Sequence, residues 1–145
     1  MLFSFFIRVE NYANYRIYLV IIVGHSGCGG AIACLDAAQD PNFVPNLPIT
    51  TIPSEPPESP LNRWLQPLTL LAHSLKLFGT DDEALTTLVE ENIKAQVENL
   101  AKTETINNAW TKGTRHGKKV FIHGWLYELG TGRLRDLGIS RGPPN

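Results

Sequence analysis

The sequence predicts an α/β domain with a mostly parallel sheet flanked by helices. An apolar run, residues 18–23, leads directly into a glycine-rich turn and then into small residues that suit a helix. Apolar residues recur at helical spacing through the middle of the chain. Residues 118–139 are again rich in β-branched and aromatic side chains, which favour strands. Strands that alternate with helical segments are typical of α/β domains.

The first strand and helix are predicted by residues 18–39. The run Tyr-Leu-Val-Ile-Ile-Val fits a strand covered on both faces. The turn Gly-His-Ser-Gly-Cys-Gly-Gly follows, and a helix should cover residues 28–39. That helix should end before Asp40, because a residue that precedes proline is pushed out of the helical region. The turn places His25 and Cys28 at the carboxyl end of a strand, where open α/β sheets bind ligands.

The middle of the chain predicts a loop followed by an amphipathic helix. Residues 41–60 contain seven prolines, so this stretch should cross the surface in extended conformation without regular structure. A helix with one buried face should follow, and Pro67 should kink or split it. Its apolar positions are Leu61, Trp64, Leu65, Leu68, Ala72, Leu75 and Phe78.

The remaining elements are two helices and a pair of strands. Thr80 and Glu83 form a capping-box pattern at the start of a helix that should run to about Lys102. A short helix should cover residues 104–110. The last segment should form a strand, a tight turn at Thr131-Gly132 and a second short strand.

Composition limits the class of protein. With 145 residues the chain fits one domain, and its net charge of −1 favours neither a nucleic-acid nor a membrane partner. The basic residues near position 115 fit a solvated loop. Two cysteines exclude a disulfide scaffold and suit a reducing compartment. We expect a cytoplasmic protein, with the mitochondrion as the alternative.

The amino-terminal segment, residues 1–17, is atypical for such a domain. Its apolar opening is short and lacks the cationic start and cleavage site of a signal peptide. No run approaches the 18 apolar residues of a membrane span. We expect a short aromatic helix or strand that packs on the core or on another chain. The domain proper should cover residues 18–140, with a tail at 141–145.

The glycine-rich turn has three interpretations. Thiolate and imidazole are good zinc ligands, and a catalytic zinc usually has three protein ligands and an open position. His25 and Cys28 supply two. Cys34 cannot easily be the third, because it lies six residues further along a helix, roughly 9 Å along the axis and about 240° around it.

The same residues nearly match the nucleophile-elbow pattern, which would make Ser26 an acyl-transfer nucleophile. A phosphate loop is the weakest interpretation, because no Lys-Ser/Thr pair follows the glycines.

Four segments in the same order resemble the β-class carbonic anhydrases, and look most like their plant-type fungal members. The resemblance runs from about Leu19 to Ile139. Its most specific parts are the His-x-x-Cys-Gly-Gly turn, the Glu91-Asn92-Ile93 pattern with Gln96, and His123-Gly124-Trp125-x-Tyr127 followed by Gly132 and Asp136. The segments are VGHSGCGGA, PLNRWLQPL, LVEENIKAQVENL and VFIHGWLYELGTGRLRDLGI.

The resemblance implies a zinc-dependent enzyme that reversibly hydrates carbon dioxide to bicarbonate. It implies a zinc held by one imidazole and two thiolates with water in the fourth position, and His25 and Cys28 match two of these ligands. Family members carry the third ligand and an Asp-Arg pair in an upstream Cys-x-Asp-x-Arg segment. No cysteine precedes Cys28, so we expect an amino-terminally truncated form. Water, a carboxylate such as Asp36 or a partner chain would then complete the coordination.

The resemblance also implies partners. We expect a homo-oligomer, such as a dimer, or pairing with a full-length homologue. Weak zinc binding and slow hydration are expected of the chain alone. The alternative is a catalytically impaired homologue that acts as an oligomer partner or regulatory subunit.

Overall fold

The computed structural model describes residues 19–45, 48–77, 82–113 and 119–144. The amino-terminal segment, and Thr80 of the expected capping box, lie outside the described residues. The α/β class is confirmed. The elements in chain order are β1 (Leu19–His25), α1 (Gly29–Gln39), α2 (Pro60–Leu75), α3 (Asp82–Ala101), α4 (Glu104–Thr111), β2 (Phe121–Glu128) and β3 (Arg133–Arg141).

The described residues divide into two compact units. The first is His25–Asn92, and the second joins residues 19–24 to residues 93–144. The first unit therefore contains α1, α2 and the start of α3. The second contains the sheet, the end of α3 and α4. No helix in the described ranges is long and apolar enough to cross a membrane.

The sheet of the second unit has the order β1-β2-β3. The predicted strand, turn and strand are confirmed, and β2 and β3 pair antiparallel, with His123 opposite Ser140 and Tyr127 opposite Leu134. A connection of only a few residues reverses the chain, as the expected tight turn at Thr131-Gly132 requires. Gly132 in that connection has a φ of 70°, which glycine adopts without strain.

Burial of β1 also differs from the expectation of a strand covered on both faces. Within the described structure the strand alternates, so that Val20 and Ile22 are buried while Ile21 and Val23 are half-buried. In β2, Gly124 lies on the buried face, and a Cβ there would lie 2.8 Å from Cγ2 of Ile93. A glycine at this position therefore lets α3 approach the strand closely.

Helix α2 is one continuous helix. Pro67 lies within it, so of the two expected effects, a kink or a split, the split is wrong. The helix begins after Ser59, whose Oγ accepts a hydrogen bond from Asn62 N, and ends at Leu75, followed by Lys76 in the left-handed conformation. Phe78, the last of the expected apolar positions, lies outside the described residues. Its buried face is Asn62, Leu65, Leu68, Thr69 and Ala72. Leu61 and Trp64, expected on that face, are exposed.

The proline-rich loop is anchored to α2 by one side chain. Asn62 is fully buried, and its Oδ1 accepts hydrogen bonds from the backbone N–H groups of Thr51 and Ile52. Its Nδ2 donates to the carbonyls of Ile52, Glu55 and Pro56. The described part of the loop contains no helix or strand, as predicted. A buried asparagine thus satisfies backbone groups that have no partner in regular structure.

Candidate metal centre

The turn between β1 and α1 orients the candidate ligands. Gly27 has a φ of 63°, a conformation that a side chain would disfavour. Cys28 follows with extended backbone and is the N-cap of α1, and its carbonyl accepts a hydrogen bond from Ile32 N at 2.9 Å. Its side chain makes no capping hydrogen bond. The sulfur is therefore placed beside the N-terminus of a helix without being used to cap it.

His25 is held by its own turn. Its Nδ1 lies 2.9 Å from the carbonyl oxygen of Ser26. A carbonyl can only accept, so Nδ1 donates and the neutral ring carries its lone pair on Nε2. Metal-binding histidines are commonly oriented in this way, with the second ring nitrogen donating to a carbonyl.

Both side chains reach one small cavity. It has room for about one water molecule or ion. Three elements of the first unit contribute to its walls, together with the turn. The lining residues are His25, Cys28, Ala31, Leu68, Val89 and Asn92. The structure therefore brings the two candidate ligands together in an otherwise mostly apolar enclosure.

Cys34 is in a different environment. It is fully buried, and its Sγ lies 3.7 Å from the carbonyl oxygen of Leu65, to which the thiol donates. Burial raises the pKa of this thiol to about 11, so it stays protonated at neutral pH. Cys34 does not line the small cavity.

A third protein ligand is not present among the described residues. No group of three or more His, Cys, Asp or Glu side chains occurs there with metal-binding geometry. Asp36 is exposed on α1 and lines a separate open groove beside the proline-rich loop. An imidazole with its lone pair on Nε2 and a buried thiol fit zinc chemically, as part of a ligand set.

The serine-nucleophile interpretation gains no support from the turn. Nδ1 of His25 is bound to the main-chain oxygen of Ser26, so it is not positioned as a base for the hydroxyl. His123 pairs with Ser140, with its Nδ1 2.7 Å from Oγ, as expected for a hydrogen-bonded structural histidine. His73 contacts the ring of Phe43.

Sequence reasoning missed Asn92 as a wall of the cavity. The sequence contained an indication, because Asn92 lies four residues after Leu88 and three after Val89, on the apolar face of α3. A polar residue in such a stripe is buried, and buried polar residues often belong to a site.

The fold, the turn and the cavity define an α/β protein in which an imidazole and a thiol line one small cavity, and the family follows from comparison. Residues 11–134 match the sequence profile of the carbonic anhydrase family. The chain belongs to that family, in its β class. A carbonic anhydrase of Emericella nidulans is 27% identical over 138 residues, which cover 91% of this chain and 51% of that protein. The chain spans about half the length of the curated relatives it matches.

Solved structures show the same fold. A β-carbonic anhydrase of Aspergillus fumigatus superposes with a TM-score of 0.58 at 28% identity, over 86% of this chain and 50% of that one. The Coccomyxa enzyme, solved with acetazolamide, gives 0.61 at 26% identity, over 83% and 47%. One of two tetrameric β-carbonic anhydrases of Sordaria macrospora gives 0.62 at 24% identity, over 89% and 56%.

Proposed function

We propose that this chain carries part of a zinc-dependent carbonic anhydrase site, with Nε2 of His25 and Sγ of Cys28 as two of the ligands. The reaction is the reversible hydration of carbon dioxide to bicarbonate. One observation carries the proposal: both donor side chains open on the same small cavity. Family membership supports the reaction.

The chain's own residues have separable tasks. The bond from Nδ1 of His25 to the Ser26 carbonyl holds the ring so that Nε2 is the donor atom. The N-terminus of α1 is a favourable place for a negatively charged ligand at Cys28. Leu68 and Val89 keep the cavity apolar, which strengthens electrostatic interactions inside it. When bound, zinc supplies Lewis-acid activation of water.

The described residues supply only half of a tetrahedral ligand set. The remaining positions would be filled by water, by residues outside the described part or by another chain. A structural relative of the same fold is described as tetrameric, which supports a second chain as the source. We therefore propose a homo-oligomer or pairing with a full-length homologue, and weak zinc binding and slow hydration by a protein of this sequence alone.

Metal analysis and carbon dioxide hydration test this proposal together. The purified protein should retain clearly less than one zinc per chain, take up more when zinc is added, and hydrate carbon dioxide slowly. His25→Ala should abolish the added uptake, while His73→Ala, which removes an exposed histidine of α2, should not.

Two results would contradict it. Near-stoichiometric zinc with rapid hydration would show that the ligand set of this chain is complete. Equal zinc uptake by wild type and His25→Ala would show that His25 does not bind the metal and would contradict the proposed site.

A further inference from the structure

Asn92 is a buried polar residue beside the candidate metal centre. It is 4% exposed and lies on α3, within the same compact unit as the turn. Its side chain lines the small cavity with His25 and Cys28, and the other lining residues, Ala31, Leu68 and Val89, are apolar. Asn92 is thus the third polar side chain on the described walls of this cavity.

The chemistry of the two ligand atoms decides what a carboxamide does there. Nε2 of His25 presents a lone pair, because Nδ1 is the donor to Ser26. A thiolate at Cys28 presents several lone pairs. Both atoms are acceptors, so the complementary part of the asparagine is its NH₂ group, which has two donors.

The number of lone pairs distinguishes the two acceptors. The imidazole nitrogen has one, and a bound metal uses it. The thiolate sulfur has more than one, so it can bind a metal and still accept an N–H group. The thiolate of Cys28 is therefore the acceptor that remains when the site is loaded.

We infer that Asn92 is a positioning residue of the metal site, whose Nδ2–H donates to the thiolate of Cys28. The inference rests on the proposed function and goes beyond it. The hydrogen bond directs the sulfur into the cavity, and this orientation is what favours metal binding. It also withdraws some electron density from the sulfur, which raises the energy of a sulfur-to-metal charge-transfer band. Partners that act on a ligand in this way typically contribute about 10- to 100-fold to metal affinity.

Cobalt(II) gives a readout that a purely structural asparagine would not change. A cobalt–thiolate bond has a charge-transfer absorption band, and its energy falls when the sulfur loses a hydrogen-bond donor. Asn92→Leu removes the donor and keeps the branching and the number of heavy atoms of the side chain. It should shift the band to lower energy and weaken cobalt binding by about 10-fold.

Leu88→Ala is the matched control, because Leu88 is fully buried on the same helix and does not line the cavity. It should lower the melting temperature and leave the band in place. Should Asn92→Leu fail to fold by circular dichroism, Asn92→Ala tests the same expectation.

The outcomes separate this inference from the proposed function. A folded Asn92→Leu protein with an unmoved band and unchanged cobalt affinity overturns the role of Asn92 and leaves the site intact. A wild-type spectrum identical to that of Cys28→Ser overturns the metal site itself, and the inference with it.

Discussion

The surroundings of Cys28 and Cys34 differ sharply although both cysteines belong to the same helical segment. Cys28 is the N-cap of α1 and lines a small cavity with His25. Cys34 lies six residues later, is fully buried, and donates its thiol hydrogen to the carbonyl of Leu65. The first thiol can meet a ligand, whereas the second is enclosed by the packing of α1 on α2.

The difference indicates that access of a ligand to a thiol depends on the neighbours of the cysteine and not on residue type or burial alone. Both thiols are at most 2% exposed. Burial in an apolar environment without a cationic partner disfavours a thiolate. Cys34 is in such an environment, so burial raises its pKa to about 11 and the thiol stays protonated. A helix N-terminus and an adjacent imidazole favour metal binding at Cys28.

Exchanging each cysteine for serine should give the largest effect. Cys28→Ser should weaken zinc binding by at least about 100-fold, because it removes a ligand and not merely a supporting group. Cys34→Ser keeps a donor for the Leu65 carbonyl and should leave zinc affinity within a few-fold of wild type. Competition against a chromophoric chelator measures both, and equal losses in the two variants would refute the distinction.

The pH dependence of stability should sharpen the comparison. Burial raises the pKa of Cys34 from 9.0 to about 11, so the folded state holds this proton more tightly than the unfolded state. The contribution of the Cys34 thiol to the free energy of unfolding is fully present below about pH 9. It is lost as the pH rises towards 11, and the loss amounts to about 2–3 kcal/mol. Urea denaturation should show this loss in wild type relative to Cys34→Ser. If the free energies of unfolding of the two proteins change in parallel with pH, burial does not raise the pKa of Cys34 as described.

Two glycines give the smallest effects and test packing in each unit. Gly124→Ala should destabilise by about 1–3 kcal/mol, because its Cβ would lie 2.8 Å from Cγ2 of Ile93. Gly30→Ala should be neutral or stabilising by up to about 1 kcal/mol. Its Cβ would meet Leu65 at 3.5 Å and the sulfur of Cys28 at 3.9 Å, which are ordinary contacts. Thermal denaturation measures both, and a loss at Gly30 would mean that the helix start is packed more tightly than described.

Much of the fold could be predicted because local chemistry determines it. The end of α1 before Pro41, the start of α4 after Thr103 and the turn at Gly132 each follow from one residue's conformational preference or capping ability. The antiparallel direction of β2 and β3 followed from their short connection. The continuity of α2 through Pro67 could not be predicted, because a proline inside a helical pattern is compatible with either a kink or a break.

The sequence indicated the two candidate ligands of the site but not the walls of its cavity. His25 and Cys28 are neighbours in sequence, so spacing alone brings them together. Leu68 and Asn92 reach the cavity from other helices. The sequence pattern indicates that Asn92 is buried, but only packing shows which cavity the two residues line. Asn62 was missed for the same reason, since its hydrogen bonds to the proline-rich loop depend on how that loop folds back.

X-ray absorption at the zinc edge tests the central claim most directly. Zinc-loaded protein should show one sulfur neighbour at about 2.3 Å and at least one imidazole nitrogen at about 2.0–2.1 Å. The sulfur contribution should vanish in Cys28→Ser and persist in Cys34→Ser. A shell without sulfur in wild type, or one whose sulfur survives the loss of Cys28, would contradict the assignment of this turn as the metal-binding part of the protein.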